Sequence, residues 1–533
     1  MNCSEVMVRY LAAAGTKYVF GYPGDPSVPF LEACRRQNME FVLATREGTA
    51  GLMAEAYGQL TDMPGVALST LGPGSSNLVN AVANAWADRV PMIAISGQIE
   101  SRREPFFTHQ VIDHNRVFSP ISKYTTSILP TTVGTIMRKA LRTAMADRPG
   151  PVHISTPGDV VGAEAQDDEI VLPPMNALAH GLGVSGDLGD PVKVITAARR
   201  PIILAGISAV RGKAGAAITA LAEALGCPVV VAPMAKGIID ETHPYYAGTL
   251  DMACNAFVWD FLKSADLVLN IGFDAVELIK PWTVTRPIIH IDSVPNTDQI
   301  YQAGIEIVGQ IAPVVEAITS HVGSSSARWS EAEVAKHREA LRALYLAGRT
   351  SGRLNPTDVV DIALAASAPD TIATTDVGSH KLLVGQGWVS RSPKTMLMSN
   401  GLSSMGYSLP AAMVAKMVHP ERNVVCFTGD GGLAMVLGEL RTVSALKLGI
   451  TIVVFCDNSL NRIELKQHAR QFPAFGTTIP ESDVPKLAEA MDCDAVRVDS
   501  AAELERAMAQ GPAADRPLVI AAHIDPAQYM AQF

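Results

Sequence analysis

Short apolar segments recur along this chain, and each is followed by a segment with the composition of a helix. The apolar segments contain mostly valine, isoleucine and leucine and seldom alternate with polar residues, which is typical of strands buried on both faces of a parallel sheet. Examples are KYVFGYPG, GVALSTLGPG, PIILAGIS, ADLVLNIG, NVVCFTGDG and ITIVVFCDN. Because strands and helices alternate, the sequence predicts doubly wound α/β domains, whose ligands bind at the carboxyl ends of the strands.

The length of the chain and two weakly periodic stretches predict three domains. A chain of 533 residues is too long to fold around one hydrophobic core. A stretch rich in glycine and proline near residues 158–191, which has the composition of a linker, and a second break near AGRTSGRLNPTD divide the chain. We therefore predict α/β domains at residues 1–165, 190–340 and 355–533.

The composition limits the classes of partner. The chain contains 43 Lys and Arg against 53 Asp and Glu, a formal net charge of −10, and no basic run compensates for it. Nucleic acid and an anionic membrane are therefore not expected as partners. The 7 cysteines form no CxxC pair, which suits a reducing compartment. Without a signal-peptide pattern or an apolar run of roughly 18 residues, we expect a cytoplasmic enzyme.

Two of the predicted strands end on an acid and an amide. The first ends at Gly429-Asp430-Gly431-Gly432, and the second, one helix later, ends at Asp457-Asn458. The glycines let the backbone approach a ligand and expose N–H groups that favour a phosphate. Oxygen ligands from Asp430, Asn458 and the main-chain carbonyl of Leu460 would suit Mg²⁺ bound to a diphosphate. The alternative is a tight strand–helix turn followed by an Asx turn.

The stretch GDGGLAMVLGEL…VVFCDNS resembles the metal-diphosphate motif of thiamine-diphosphate-dependent enzymes. That motif often has Asn-Asn where this chain has Asp457-Asn458, so Asp457 is a competing ligand for the cation. The resemblance implies that Asp430, Asn458 and Leu460 bind Mg²⁺. It also implies that the diphosphate lies against four residues, which are Gly429, Gly431, Gly432 and Asn458.

The segment FVLATREGTAGLMAEAYGQL resembles the part of the family that binds the thiamine pyrimidine ring. Thiamine needs a carboxylate against a ring nitrogen, and the resemblance assigns this role to Glu47. Taken alone, Glu47 would be interpreted as a glutamate favoured at a helix N-terminus by the helix dipole. The next segment, LSTLGPGSSNLVNAVANAWADRVPMIAISGQ, is similar to the Gly-Pro-Gly loop and helix of acetolactate-synthase-like enzymes. It implies a cofactor contact from Asn77, and the earlier loop VFGYPGDP implies one from Gly24.

Two further segments carry the same resemblance. MSNGLSSMGYSLPAAMVAK is similar to the segment that places a large apolar residue between the two cofactor rings, which implies contacts from Gly401, Leu402 and Met405. TTDVGSHKLL resembles the loop that grips the diphosphate, with contacts from Gly378-Ser379-His380. Taken alone, Met405 would be interpreted as a core methionine on a helical face. His380 alone would be interpreted as a surface or core histidine.

The resemblance covers the whole chain in order. It implies a pyrimidine-binding domain, a central domain and a diphosphate-binding domain, with thiamine diphosphate and Mg²⁺ as cofactors. Each active site in this family combines the pyrimidine half of one subunit with the diphosphate half of another. A homodimer is therefore the implied minimum, and a homotetramer is common. The central stretch LNIGFDAVELIKPW lacks the Arg-Phe-Asp-Asp that helps to hold FAD, so the resemblance does not extend to bound FAD.

Other motifs concern the reaction. Enzymes of this family remove CO₂ from a 2-oxo acid, and the remaining fragment leaves as an aldehyde or adds to a second carbonyl compound. VFGYPGDPSVPFL resembles the early loop of pyruvate decarboxylases, in which an aspartate handles protons, and it assigns Asp25 to catalysis; the alternative is that Asp25 shapes a turn. His109-Gln110 stands where those enzymes have His-His, and Gln110 fits the Phe-Gln position of acetolactate synthases.

We predict an acetolactate-synthase-like carbon–carbon lyase or carboligase that acts on a 2-oxo acid, with Glu47, Asp25, His109 and Gln110 as catalytic residues. A non-oxidative decarboxylase that releases an aldehyde is one alternative. An acyl-CoA lyase or decarboxylase is another, and it would need a nucleotide site in the central domain. The last alternative is a silent thiamine-binding homologue.

Overall fold

A computed structural model gives the structure of the chain and describes residues 1–173, 188–322 and 328–533. Within these ranges the strands form three separate six-stranded sheets, and the strand pairs in all three are parallel. The predicted α/β class, with three doubly wound parallel-sheet domains, is confirmed. None of the helices in the described ranges is long and apolar enough to cross a membrane.

The first sheet is built from the N-terminal part of the chain. Its strands are β1 (Tyr18–Tyr22), β2 (Glu40–Leu43), β3 (Gly65–Ser69), β4 (Met92–Gln98), β5 (Tyr124–Ser127) and β6 (Pro151–Pro157). Its helices are α1 (Cys3–Ala13), α2 (Val28–Arg36), α3 (Glu47–Thr61), α4 (Pro73–Ala87), α5 (His114–Phe118), α6 (Val133–Met145) and α7 (Gly158–Val161). The strand order is β2-β1-β3-β4-β6-β5, so the segments that follow β1, β2 and β3 lie at one edge.

The second sheet follows in the middle of the chain. Its strands are β7 (Pro201–Ala205), β8 (Val229–Val231), β9 (Tyr246–Thr249), β10 (Leu267–Ile271), β11 (Ile288–Asp292) and β12 (Ile305–Val308). The accompanying helices are α8 (Gly189–Ala197), α9 (Ile207–Arg211), α10 (Gly215–Leu225), α11 (Asn255–Lys263), α12 (Ile311–Val322) and α13 (Glu331–Leu346). The order β12-β11-β10-β7-β8-β9 places the topological switch point between β7 and β10.

The third sheet is C-terminal. Its strands are β13 (Ile372–Thr375), β14 (Met396–Met398), β15 (Val424–Gly429), β16 (Thr451–Cys456), β17 (Asp494–Val498) and β18 (Leu518–His523). The helices are α14 (Pro356–Ala365), α15 (Ser379–Gly387), α16 (Ser408–Val418), α17 (Asp430–Met435), α18 (Glu439–Ala445), α19 (Asn461–Ala469), α20 (Val484–Glu489) and α21 (Ala501–Gln510). In the order β14-β13-β15-β16-β18-β17, β15 and β16 are neighbours, and every residue of both strands is buried.

The described residues form two compact units. The first consists of the described residues up to 173 together with Leu402–Pro420 and Val436–Leu446, and so contains the first sheet with α16 and α18. The second consists of the described residues from 188 to 401 together with Glu421–Met435 and Lys447–Phe533. Residues 174–187 of the predicted linker lie outside the described residues, and the three domain boundaries stay predictions.

A buried ion pair stabilises the second unit. Lys236 Nζ lies 2.8 Å from both carboxylate oxygens of Glu241, and both side chains are buried. Glu241 also accepts the main-chain N–H of Ser390 at 2.9 Å. Burial raises the pKa of Glu241, whereas the charge of Lys236 lowers it. Because a charge buried without its partner is strongly unfavourable, each member of the pair depends on the other.

We expect Lys236→Met to lower the free energy of unfolding by about 3–5 kcal/mol at neutral pH, because Glu241 then stays buried without a cation. Denaturant unfolding measures this change. The matched control is Lys263→Met, which removes an exposed ion pair with Asp260 and should change the free energy of unfolding by less than about 1 kcal/mol.

The decrease in the free energy of unfolding caused by Lys236→Met should become smaller as the pH falls. Burial already raises the pKa of Glu241 in the parent, and loss of the Lys236 charge, which lowers this pKa, raises it further in the variant. Protonation of Glu241 on acidification therefore stabilises the folded variant more than the folded parent. An equal difference between the variant and the parent at acidic and neutral pH would contradict this account.

Candidate active site

Glu47 is the first residue of α3 and is 7% exposed. The Nδ2 atom of Asn77, on α4, donates a hydrogen bond to Glu47 Oε2 at 3.1 Å. A Cβ atom on Gly74 would lie only 2.8 Å from Glu47 Oε1, so this glycine leaves the space that the carboxylate occupies. The structure therefore brings together two of the residues predicted from the sequence, Glu47 and Asn77.

The Gly-Pro-Gly turn before α4 contacts two more predicted residues. Gly72 has a φ of 52°, and a Cβ atom there would lie 2.7 Å from the main-chain oxygen of Gln110. On the other side, a Cβ atom on Gly24 would lie 2.1 Å from Thr70 Oγ1. The loops that carry Gly24 and Gln110 therefore both pack against the segment from Thr70 to Gly72, which leads to Asn77.

The two remaining catalytic candidates of this unit are more exposed. Asp25 begins a short 3₁₀ helix, Asp25–Ser27, after β1, and its side chain is exposed. His109 is also exposed, and its ring forms an edge contact with Phe107 at a centroid distance of 6.5 Å. No contact with Glu47 is described for either residue, so their catalytic roles stay predictions.

The segment with Leu402 and Met405 belongs to the first unit by its contacts. Asn80 Nδ2 donates to Ser404 Oγ at 2.7 Å, and Asn80 lies one helical turn after Asn77 on α4. Met405 is partly buried, and Leu402 is 43% exposed. Gly401 is exposed and belongs to the second unit.

The predicted metal site lies at the carboxyl ends of β15 and β16, which pair directly. Asp430 Oδ2 accepts the main-chain N–H of Asn458 at 2.8 Å and that of Asp457 at 3.3 Å. Asp430 Oδ1 accepts the N–H of Gly431 at 2.7 Å. Burial raises the pKa of Asp430, and the hydrogen bond from Asn458 opposes this effect. Two strand ends that are 28 residues apart in the sequence are thus joined through one carboxylate.

Asp457 and Asn458 both follow β16 beside Asp430. Burial and, after it, the charge of Asp430 raise the pKa of Asp457 to about 7. Asp457 Oδ1 accepts the N–H of Ser459 at 3.2 Å, which is the Asx turn considered from the sequence, and Asn458 has a left-handed φ of 54°. The Asx turn and a metal site are compatible, because a carboxylate has further lone pairs. The choice between Asp457 and Asn458 as ligand stays open.

The carbonyl of Leu460 already accepts two hydrogen bonds, from the N–H of Ile463 at 2.8 Å and of Glu464 at 3.2 Å. Leu460 is therefore the residue that caps the start of α19. Its role as a metal ligand stays a prediction.

The predicted diphosphate loop lies in the same unit. His380 is buried and stacks on Phe455 with ring centroids 5.3 Å apart. A Cβ atom placed on Gly378 would lie 2.7 Å from the His380 ring, and one placed on Gly429 would lie 3.1 Å from it. Both glycines therefore lie directly against this ring. Ser379 begins α15, and its Oγ donates to Asn461 Oδ1 at 2.7 Å.

These residues fit a metal–diphosphate group. Burial lowers the pKa of His380 to about 3, and its buried Nε2 atom has no hydrogen-bond partner within the described ranges. Asp430 and Asp457 are two partly buried carboxyl groups with raised pKa values, and a divalent cation would favour their charged forms. Main-chain N–H groups at the start of a helix such as α15, which begins at Ser379, favour a phosphate.

The doubt about bound FAD stays a prediction, and the contacts at the switch point of the central domain bear on it. A dinucleotide phosphate in such a fold binds at the N-terminus of the helix after the first strand. Here Glu277 Oε2 accepts the N–H of Ile207, the first residue of α9, at 2.8 Å. A Cβ atom on Gly206 would lie 2.4 Å from Phe273 Cα, so the segments that follow β7 and β10 pack closely against each other here.

Two buried acids near these sites were not predicted. Asp376 follows β13, accepts a hydrogen bond from Thr428 Oγ1 at 3.1 Å, and would lie 2.0 Å from a Cβ atom on Gly432. An acid directly after an apolar run was the signal that led to Asp430, and the same signal is present at Asp376. Glu439 is fully buried and contacts Thr45; it lies within the quoted stretch GDGGLAMVLGEL, but the sequence analysis gave it no role.

Three family models match the chain in order. The N-terminal TPP binding domain of thiamine pyrophosphate enzymes matches residues 1–117. The central domain of thiamine pyrophosphate enzymes matches residues 189–318. The C-terminal TPP binding domain matches residues 376–522. Glu47 lies in the first match, and Asp430 and Asn458 lie in the last.

Relatives that span almost the whole chain agree with these matches. A probable acetolactate synthase large subunit from Methanococcus aeolicus is 30% identical, over 99% of this chain and 92% of its own length. The acetolactate synthase of Bacillus subtilis (strain 168) is 29% identical, over 98% and 93%. A catabolic acetolactate synthase from Raoultella terrigena is 28% identical, over 98% and 95%. The chain therefore belongs to the family of thiamine-diphosphate-dependent enzymes that contains the acetolactate synthases, as its sequence motifs predicted.

Proposed function

We propose that this enzyme uses thiamine diphosphate and Mg²⁺ to decarboxylate a 2-oxo acid and to join the remaining fragment to a second carbonyl compound, as acetolactate synthases do. The observation that carries the proposal is the carboxylate of Glu47, which is buried at the start of α3 and oriented by Asn77. A glutamate with no ligand to bind would not need to be enclosed at this position, because the exposed start of a helix stabilises it equally well.

The protein residues have separate roles in this reaction. When bound, thiamine diphosphate supplies the carbanion that adds to the 2-oxo group and accepts the electrons left when CO₂ departs. Glu47 binds the pyrimidine ring and holds a proton at its carboxyl group, and Asn77 fixes the orientation of that group. Asp430 and Asn458, with Asp457 as the competing ligand, hold Mg²⁺ on the diphosphate.

The residues nearest to the substrate decide the product. Gln110 is placed by its contact with Gly72, and we propose that it orients the 2-oxo acid together with His109. Asp25 supports a second candidate function, which is non-oxidative decarboxylation with release of an aldehyde. Its exposed carboxylate lies directly after β1, where ligands of such sheets bind, and could deliver the proton that this outcome requires.

We further propose a cytoplasmic homodimer or homotetramer in which each active site combines Glu47 of one subunit with Asp430 of another. Both units expose large apolar side chains that an interface between subunits would bury. Examples are Phe106 at 73%, Met435 at 56% and Phe475 at 83% exposure.

A panel of 2-oxo acids tests the reaction. We expect CO₂ release together with a hydroxyketone product, and loss of both on chelation of divalent cations, with recovery on addition of Mg²⁺. Products are separated by chromatography after incubation with each acid, alone and with a second carbonyl compound. An aldehyde as the sole organic product would favour the second candidate, and no CO₂ from any acid would refute both.

The Glu47→Gln variant tests the role of the carboxylate. We expect turnover to fall by at least about a hundredfold, because the amide can neither hold nor release the proton. Proton exchange at C2 of bound thiamine diphosphate, followed by NMR, should slow with it. The matched control is Glu40→Gln, an exposed position on β2 with the same change of charge. Full turnover in Glu47→Gln would rule out this role.

Mixed subunits test the shared site. Glu47→Gln and Asp430→Asn should each be inactive, but their coexpression should restore about a quarter of the parent activity. Half of randomly formed dimers are then mixed, and one of their two sites contains both native carboxylates. Coexpression of Asp430→Asn with the exposed-site variant Asp515→Asn is the control. It should give about half of the parent activity, because half of all sites then contain both native carboxylates. Mixed dimers without activity would show that each site is built from one chain.

A further inference from the structure

Glu439, the first residue of α18, contacts the segment that leads to Glu47. Its Oε1 atom accepts the main-chain N–H of Thr45 at 2.9 Å and the Thr45 hydroxyl at 2.6 Å. Thr45 lies between β2 and α3, two residues before Glu47. One carboxylate oxygen thus fixes Thr45 through both its main chain and its side chain.

The surroundings of this contact are closed. Glu439 is fully buried, and a Cβ atom on Gly438 would lie 3.1 Å from Thr45 Oγ1. The second oxygen of Glu439, Oε2, is buried without a hydrogen-bond partner in the part of the chain that the structure describes. Because a buried carboxylate is unfavourable unless it is hydrogen-bonded, the two bonds from Thr45 stabilise the glutamate at this position.

The start of α3 depends on this contact. Arg46, the N-cap residue, has extended backbone angles, and its side chain makes no capping hydrogen bond. The helix therefore lacks the usual side-chain cap that would hold its first residue in place. Arg46 Nη2 donates a long hydrogen bond of 3.4 Å to Asn77 Oδ1, whereas Thr45 is held by Glu439 through both its N–H and its hydroxyl. Asn77 also anchors the Glu47 side chain from α4.

We propose that Glu439 is a positioning residue for Glu47: by binding Thr45 it sets the start of α3 and, through it, the place of the Glu47 carboxylate. This inference rests on the proposed function, in which Glu47 binds the cofactor. Glu439 acts only through Thr45 and Glu47 and need not touch the reacting atoms. Its loss should therefore lower kcat and leave the KM of the 2-oxo acid largely unchanged.

The test compares three variants of the full-length holoenzyme. In Glu439→Ala we expect kcat to fall by about a hundredfold, since displacement of a catalytic group by about 1 Å has an effect of that size. Glu439→Gln keeps an acceptor oxygen for both Thr45 donors and should retain most of the activity. Thr45→Val removes the hydroxyl but keeps the N–H, and its kcat should fall between the other two.

Proton exchange at C2 of bound thiamine diphosphate separates positioning from stability, because it reports on Glu47 directly. The matched control is Glu277→Ala in the central domain. Like Glu439, Glu277 is buried and accepts a main-chain N–H, here that of Ile207. We expect Glu277→Ala to lower the thermal midpoint without slowing exchange. In Glu439→Ala and Thr45→Val, exchange should be slow.

The outcomes distinguish the two proposals. Parent-like exchange and kcat in Thr45→Val and Glu439→Ala, with Glu47→Gln inactive, would overturn the positioning role and leave the proposed function intact. If Glu439→Ala does not fold, the other two variants test the positioning role. Thr45→Val must then show slow exchange at C2, and Glu439→Gln must show exchange close to that of the parent; any other result would overturn the positioning role. Full turnover in Glu47→Gln would instead overturn the proposed function itself.

Discussion

Parallel pairing of neighbouring strands is the constraint on which the candidate site depends. Because β15 and β16 run in the same direction and pair directly, their carboxyl ends meet at one edge, and Asp430 can accept the N–H groups of Asp457 and Asn458. In the first sheet, β1 lies between β2 and β3, so the segments with Gly24, Glu47 and the Gly-Pro-Gly turn meet in the same way. Strands with buried apolar side chains hold this register, since a slip by one residue would turn those side chains to the wrong face.

Acidic groups are concentrated at these edges, and their burial is unfavourable unless it is compensated. Glu47 is compensated by Asn77, Glu439 by Thr45 and Asp376 by Thr428, each through hydrogen bonds. Asp430 and Asp457 differ, because burial raises both pKa values and the charge of Asp430 adds to the effect at Asp457. Perturbed carboxyl groups of this kind are typical of functional sites, where a cation or a reaction needs them.

Several features of the site could be predicted from the sequence, and others could not. Glu47, Asn77, Asp430 and Asn458 each stand in a motif of several residues at a fixed place after an apolar run, so their neighbours identified them. Glu439 lies within the quoted stretch GDGGLAMVLGEL, but the motif gave it no role, because its proposed role depends on Thr45, which is 394 residues away in the sequence. The first compact unit includes α16 and α18 from the C-terminal part of the chain. This grouping also depends on contacts between residues that are hundreds of positions apart in the sequence.

The order of strands and helices, the α/β class and the family follow from the sequence by itself, because apolar runs, glycine turns and motif residues are local features. Tertiary structure alone decided that Glu439 binds Thr45, that Glu277 accepts the N–H of Ile207, and that His380 adjoins Gly429. The physical reason is the same in each case. A hydrogen bond or a close packing contact needs two groups within a few ångströms, and only the folded chain determines which distant groups come that close.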